Sequence, residues 1–332
     1  MQERLVFVIC PPRSGSTMIQ QMLASHSKVC THPEPHLITP LQYLGYFKGV
    51  ERAPYDQVNS GQAIRELVEE LPRKEADYLE ALRAYTNHLY GCLLAKGGAT
   101  YFVDKTPAYA LVLPFLKKLY PDAHYLVLTR HPLAIFHSVA RSFFGGDYEA
   151  ALVKNPIQQG YIGAIATFLR EPPKNCRHIT YERLVQRPEE TMRAIASFIG
   201  LDFEPDMVTY GNQKHLKKSF GDPMTVHKHR EPKTDSVVRF APALKGDTKL
   251  LDDLRALLAA VAPEDLAEWG YTHDSLFGEI SSSQAKPARA PLVNSYVLRK
   301  TVLSQLRKST KHPRVARLFE KVKYACELAL NH

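Results

Sequence analysis

Seven consecutive residues, Pro11-Pro12-Arg13-Ser14-Gly15-Ser16-Thr17, put three hydroxyls, a guanidinium and a glycine into one short stretch. Gly15 lets backbone approach a ligand closely, the hydroxyls donate, and the free N–H groups of a helix that opens at Thr17 favour an anion. A phosphate fits such a turn. Further along stand Glu34 and His36 between prolines, Asp104-Lys105 after an apolar run, Arg130 with Ser138 eight residues later, and Tyr181-Glu182. Together they offer cations, a carboxylate and hydroxyls for binding and moving an anionic group.

The elements that must position these residues follow from patterning. Val6 to Cys10 is an unbroken apolar run, the pattern of a buried parallel strand, and Thr17 to Leu23 reads as the helix after it. Strands are predicted at Thr100–Val103, His124–Arg130 and Cys176–Tyr181. Helices are predicted at Leu111–Leu119, Leu133–Ser142, about Glu189–Gly200 with Gly200 as C-cap, Leu250–Val261 and Pro263–Trp269. Strands alternating with helices imply parallel pairing with right-handed crossovers. In such sheets ligands gather at the carboxyl ends of the strands, where Lys105 and Arg130 fall. The three prolines of Cys30–Pro40 exclude a helix or a central strand and predict an extended loop that stiffens the backbone around Glu34 and His36.

The loop is not that of a nucleoside-triphosphate enzyme, because the glycine five residues before a Gly-Lys-Ser/Thr and the lysine itself are both missing. Pro11–Thr17 instead resembles the loop by which sulfotransferases hold the 5′-phosphosulfate of 3′-phosphoadenosine 5′-phosphosulfate (PAPS). Arg130 with Ser138 resembles that family's grip on the 3′-phosphate. Tyr181-Glu182-Arg183-Leu184 resembles its Tyr-Glu-x-Leu segment near the adenine. These marks cover residues 5 to about 200. Within the family, Glu34 and Lys105 fall on the catalytic glutamate and lysine of tyrosylprotein sulfotransferases. The Pro-Glu-x-His-Leu run and Gly221-Asp222-Pro223 are closer to bacterial domains that act on acyl chains carried by polyketide synthases.

The resemblance implies an α/β fold, a P-loop-like three-layer sandwich around a central, mostly parallel sheet. It also implies a sulfuryl transfer from PAPS to a hydroxyl acceptor, with 3′,5′-adenosine bisphosphate as product. Negative charge then grows on the leaving bridge while a proton leaves the acceptor, so cations are needed at one end and a base at the other. Arg13 and Lys105 can supply the cations and Glu34 the base. His36, on the loop of Glu34, and His227, in a lid-like stretch, are the histidines to test beside it. Arg13, Ser14, Gly15, Ser16, Thr17, Arg130, Ser138 and Tyr181 are the expected cofactor ligands. No metal is called for, since no carboxylate cluster argues for one. The alternatives are a small-molecule kinase on a related core and a non-catalytic module that binds the nucleotide.

Length, composition and charge bound the rest. The 332 residues, 45% hydrophobic and 23% charged, suit one large α/β domain with an appendage, which excludes a disordered or fibrous chain. The expected layout is a domain over 1–280 with a helical insertion at about 41–98 and a lid-like segment at about 210–245, then a linker at 281–291 and a basic helical tail at 292–332. Residues 286–332 carry eleven Lys or Arg against two Glu, which accounts for the whole chain's net +9. In the tail Val315, Leu318, Phe319, Val322, Cys326 and Ala329 recur at helix spacing. A basic amphipathic helix suits an acidic protein partner or an anionic membrane surface, and equally a place packed on the domain's own surface, with nucleic acid the less favoured occupant. The acceptor is expected to be a small molecule or carrier-bound. No apolar run is long enough to span a bilayer and the functional strand begins almost at once, so the expected location is cytoplasmic. Five cysteines without paired ligand spacing indicate neither a disulfide framework nor a zinc site.

Overall fold

The structure, a computed structural model, describes residues 1–48, 57–154, 157–210 and 231–283. His227, Gly221-Asp222-Pro223, the linker from 284 on and the tail lie outside them.

Five parallel strands form the central sheet: β1 (Leu5–Ile9), β2 (Val29–Pro33), β3 (Tyr101–Lys105), β4 (His124–Thr129) and β5 (Cys176–Thr180), in the order β2-β3-β1-β4-β5. Leu5-Val6-Phe7-Val8-Ile9 is buried along its whole length, as a strand covered on both faces must be. The period of two divides its side chains between two cores. Leu5, Phe7 and Ile9 join one with Phe102, Tyr125 and Val127, while Val6, Val8 and Cys10 join the other with Val103, Leu126 and Leu128. Helices cover both faces, which makes the expected three-layer α/β architecture.

The helices predicted after β3, after β4 and after β5 appear as Leu113–Leu119, Pro132–Phe143 and Pro188–Ile199. Gly200 caps the last of these in the left-handed conformation, at φ 78°. The helical stretch before β3 contains Gln57–Glu70 and Glu75–Gly97, and the second packs against β2 and β3. Tyr148–Lys154 and Ile157–Arg170, which the pattern reading passed over, lie between β4 and β5 and contribute Tyr161, Ile162 and Ile165 to the core. Among the described residues no helix is long and apolar enough to cross a membrane.

The extended loop predicted over Cys30–Pro40 needs correcting, since Val29–Pro33 is a strand and Thr39–Gln42 a turn of helix. The prolines do exclude a central strand, but β2 is the edge strand of the sheet, where a residue without an N–H is tolerated. Pro33 is its last residue, opposite Lys105. A second correction concerns Asp104 and Lys105, which are the last two residues of β3 and not its exit loop.

Successive strand residues point to opposite faces, so Asp104 turns toward the Phe7 side of the sheet while Lys105 turns the other way. Asp104 is therefore a carboxylate at 1% exposure among Tyr90, Tyr109 and Phe7. It is held there by hydroxyls: Tyr90 Oη donates to Oδ2 at 2.7 Å, Tyr109 Oη to Oδ2 at 3.0 Å and Thr106 Oγ1 to Oδ1 at 3.1 Å. Burial pushes its pKa from the ordinary 3.8 up to about 6, against the three hydroxyls and Lys105, which pull it down.

A carboxyl that holds its proton longer in the folded than in the unfolded chain makes stability fall as pH rises between those two values. We therefore expect the unfolding free energy of the wild type, relative to Asp104→Asn, to decline from about pH 4 to about pH 6 and to level off above. Denaturant titrations of both proteins across that range check it. A difference independent of pH would contradict the account of Asp104.

Candidate functional site

All five strands run the same way, so their carboxyl ends share one edge of the sheet. The connection out of β1 leads toward β2 and β3, whereas β4 continues toward β5, which puts the topological switch between β1 and β4. Glu34 follows β2, Lys105 ends β3, Arg13 follows β1, Arg130 follows β4 and Tyr181 follows β5. Residues far apart in sequence are thereby brought to one edge.

The turn after β1 reaches the first helix, Ser16–Ala24, through Gly15 at φ 90° and ψ 14°. A Cβ at Gly15 would stand 2.4 Å from two ring carbons of Tyr181, so glycine is required both by the backbone and by the aromatic ring against it. The group that approaches Gly15 closely here is a side chain of the protein itself, where the sequence reading expects a ligand. Arg13 also has a positive φ, 67°. Its Nε donates to Ser138 Oγ at 3.2 Å and its guanidinium lies 5.9 Å from the Phe143 ring centre.

Arg130 joins the segments. Its Nη1 donates to the Arg13 carbonyl at 3.0 Å, its Nη2 to the Ser236 carbonyl at 2.9 Å, and its guanidinium stacks 4.2 Å from the Tyr181 ring centre. The Tyr181 hydroxyl in turn pairs with Ser236 Oγ at 2.7 Å. Burial pushes the Arg130 pKa down, with Tyr181 and Glu182 acting in the opposite sense, but an arginine keeps its charge even so. Glu182 secures the strand exits by accepting the His131 amide at 3.0 Å.

Around these groups lies a cavity of about 230 Å³. Of the predicted cofactor ligands it is lined by Arg13, Gly15, Ser16, Thr17, Arg130, Ser138 and Tyr181, while Ser14 is fully buried beneath it. Arg141, Lys233 and Arg239 also line the wall, making five cations with Arg13 and Arg130, against Glu231 as the carboxylate. The sequence reading missed these three. Arg141 could have been found, since it lies one helical turn beyond Ser138 and so shares its face. Lys233 and Arg239 fall in the stretch read as a basic lid. His137 also lines the cavity, with Nδ1 2.7 Å from Tyr148 Oη. Burial and the nearby Arg141, Arg130 and Arg239 push its pKa down to about 4, which keeps the ring neutral at physiological pH.

Two buried polar atoms of the lining residues, Arg130 Nε and His137 Nε2, have no hydrogen-bond partner among the described residues. Unpaired buried donors beside several cations are what a multiply charged anion would satisfy. The donor set therefore fits an anion that bears more than one charge. Among the described residues, no group of three or more His, Cys, Asp or Glu is placed to hold a metal ion.

Glu34, His36 and Lys105 form a second cluster on the same edge. Lys105 Nζ, at 0% exposure, pairs with Glu34 Oε1 at 2.5 Å, and His36 Nε2 stands 3.8 Å from Glu34 Oε2. Lys105 and Glu34 both act on the buried Cys10 thiol at the start of the turn after β1, the lysine drawing its pKa down and the glutamate raising it. Burial dominates and holds that thiol up at about 11. Glu34 and His36 adopt φ of 34° and 51°. Each is a conformation that costs a non-glycine residue about 1–3 kcal/mol unless its surroundings hold it. The hold comes from Tyr109, whose hydroxyl accepts the amides of Leu37 at 2.9 Å and Ile38 at 3.1 Å.

Comparison with known proteins supports one assignment. The sequence pattern described as the Sulfotransferase family matches residues 6–205. Nodulation protein NoeE of Sinorhizobium fredii (strain NBRC 101917 / NGR234) is 26% identical over 242 residues, which are 66% of this chain and 55% of NoeE. A putative protein-tyrosine sulfotransferase of Caenorhabditis briggsae is 27% identical over 214 residues, 62% of this chain and 69% of that protein. This chain thus spans about half the length of NoeE and somewhat more of the second relative. Among solved structures, the sulfotransferase domain from the Synechococcus PCC 7002 olefin synthase is 22% identical with a TM-score of 0.50, covering 80% of this chain and 94% of that one. That likeness is one of fold.

Proposed function

Because this chain belongs to the sulfotransferase family, we propose that it transfers a sulfuryl group from PAPS to a hydroxyl acceptor, free or carrier-borne. The observation that carries the reading is the cation-lined cavity at the β1–β4 switch, with the Lys105–Glu34 pair beside it on the sheet edge. PAPS supplies an activated sulfuryl group on a phosphate oxygen. The turn from Arg13 to Thr17 would hold its 5′ end through backbone N–H groups and hydroxyls, at the start of the first helix. Arg130 and Ser138, with Arg141 on the same wall, would hold the 3′-phosphate.

Arg13 and Lys105 place positive charge where the leaving oxygen becomes negative, and Lys105 has little freedom to leave because it is fully buried. Glu34 is half-buried next to Lys105 and presents a carboxylate to take the acceptor proton. His36, within 3.8 Å of Glu34 and with its side chain 43% exposed, would be within reach of an acceptor that comes to that carboxylate from solvent. A turn without the phosphate-binding lysine of a triphosphate enzyme weighs against the kinase alternative. The relatives' names span a nodulation protein and protein-tyrosine sulfotransferases, so the acceptor class is set by a screen and not by likeness.

Labelled PAPS offered with phenols, alcohols, sugars and carrier-bound hydroxyls tests the reading. Transfer to at least one class is expected. Glu34→Gln should then lose on the order of 10²–10⁴ in turnover with nucleotide affinity kept. Arg130→Ala should lose affinity far more than turnover at saturating PAPS. Unchanged PAPS affinity in Arg130→Ala, or near-normal turnover in Glu34→Gln, would contradict these roles.

A further inference from the structure

We propose that Asp104 and Tyr109 are positioning residues for Glu34: Asp104 orients the hydroxyls of Tyr109 and Thr106, which fix the base-bearing turn against the strand carrying Lys105. The inference rests on the reading of Glu34 as the proton acceptor and adds what holds it there.

The turn Glu34–Ile38 contains two non-glycine residues with positive φ within three positions, a geometry it does not keep by local preference. Three consecutive amides of this turn meet two hydroxyls: His36 N approaches Thr106 Oγ1 at 3.5 Å, and Leu37 N and Ile38 N donate to Tyr109 Oη at 2.9 and 3.1 Å. Both hydroxyls donate to the one carboxylate of Asp104. The direction of those bonds matters. Two backbone amides can only donate to the Tyr109 oxygen, so its own proton must point to an acceptor elsewhere, and Asp104 is that acceptor. An asparagine at 104 offers an amide donor to the same hydroxyls and undoes that polarity on one side.

Neighbouring positions on β3 then serve the two halves of one ion pair. Lys105, on one face, presents Nζ to Glu34; Asp104, on the other, holds through Tyr109 and Thr106 the turn from which Glu34 extends. Tyr90 supplies an internal control, because its hydroxyl donates to the same Oδ2 at 2.7 Å from the helix Glu75–Gly97, with no bond to the turn among those described. A purely structural hub would make Tyr90 and Tyr109 equivalent, whereas a positioning hub makes them different.

The test compares Tyr109→Phe with Tyr90→Phe in the full chain, each alone and combined with Glu34→Gln. Melting curves first establish that both single variants fold. Hydrogen–deuterium exchange without added ligand should show the Leu37 and Ile38 amides exchanging at least about tenfold faster in Tyr109→Phe and little changed in Tyr90→Phe. With labelled PAPS and the acceptor class of highest turnover in the screen, Tyr109→Phe should lower kcat about tenfold or more, because a small displacement of a positioned group is costly. Its affinity for 3′,5′-adenosine bisphosphate should stay within about twofold, and Tyr90→Phe should keep kcat within the same margin. In the Glu34→Gln background, Tyr109→Phe should lower kcat no further, since the group it positions is gone. Equal effects of the two phenylalanine variants on exchange and kcat, or an undiminished effect of Tyr109→Phe in the Glu34→Gln background, overturn the inference alone. Near-normal turnover of Glu34→Gln overturns the reading of Glu34 as base, and this inference with it.

Discussion

The buried guanidinium of Arg130 is the interaction on which the candidate site depends. It leaves the end of β4 and bonds to the backbone of the turn after β1 and of the segment at Ser236, while resting on the ring of Tyr181 from the end of β5. Three strand ends and a late segment of the chain thus share one cation. A guanidinium suits that task because its planar fork donates in several fixed directions and also stacks, which an ammonium does not. The parallel sheet makes the arrangement possible, since only strands running the same way deliver all their exits to one edge.

The same edge carries two chemically different clusters. On the β1–β4 side, five cations surround a cavity and favour an anion with more than one charged group. On the β2–β3 side, Lys105 and Glu34 pair, with His36 at hand. Their separation matches the division of labour that group transfer requires, one region holding the donor and another handling the acceptor proton. What ties them is the geometry of the sheet and Cys10, whose thiol is acted on by Ser14 and Ser16 from the turn after β1 and by Lys105 and Glu34 from the other cluster.

Much of this was legible in the sequence because it depends on local signals. The all-apolar Leu5–Ile9, the Gly15 turn and the opening of the first helix identify each other by short-range pattern alone, and Gly200 marks a helix end by its own conformational freedom. Arg130 and Ser138 are paired only by the family resemblance, and the structure puts both on the wall of one cavity. Non-local features were harder to see. β2 is short, half-buried and ends in a proline, so nothing within it announces a strand; its pairing with β3 does. Asp104 at a strand end has the sequence look of a surface carboxylate, and its burial follows from Tyr90 and Tyr109 arriving from either side in sequence. Lys233 and Arg239 could be called basic, but only the folded chain places them on the wall occupied by Arg13 and Arg130.

The central claim is that the cavity at the β1–β4 switch holds an adenine nucleotide phosphorylated at both 3′ and 5′ positions. Thermal unfolding measured with 3′,5′-adenosine bisphosphate, and separately with ATP and Mg²⁺, tests it most directly. At 100 times its dissociation constant a ligand bound to the folded chain adds about 2.7 kcal/mol. The account predicts a clear rise in melting temperature with the bisphosphate and little with ATP and Mg²⁺. Stabilisation by ATP with Mg²⁺ and none by the bisphosphate would contradict it.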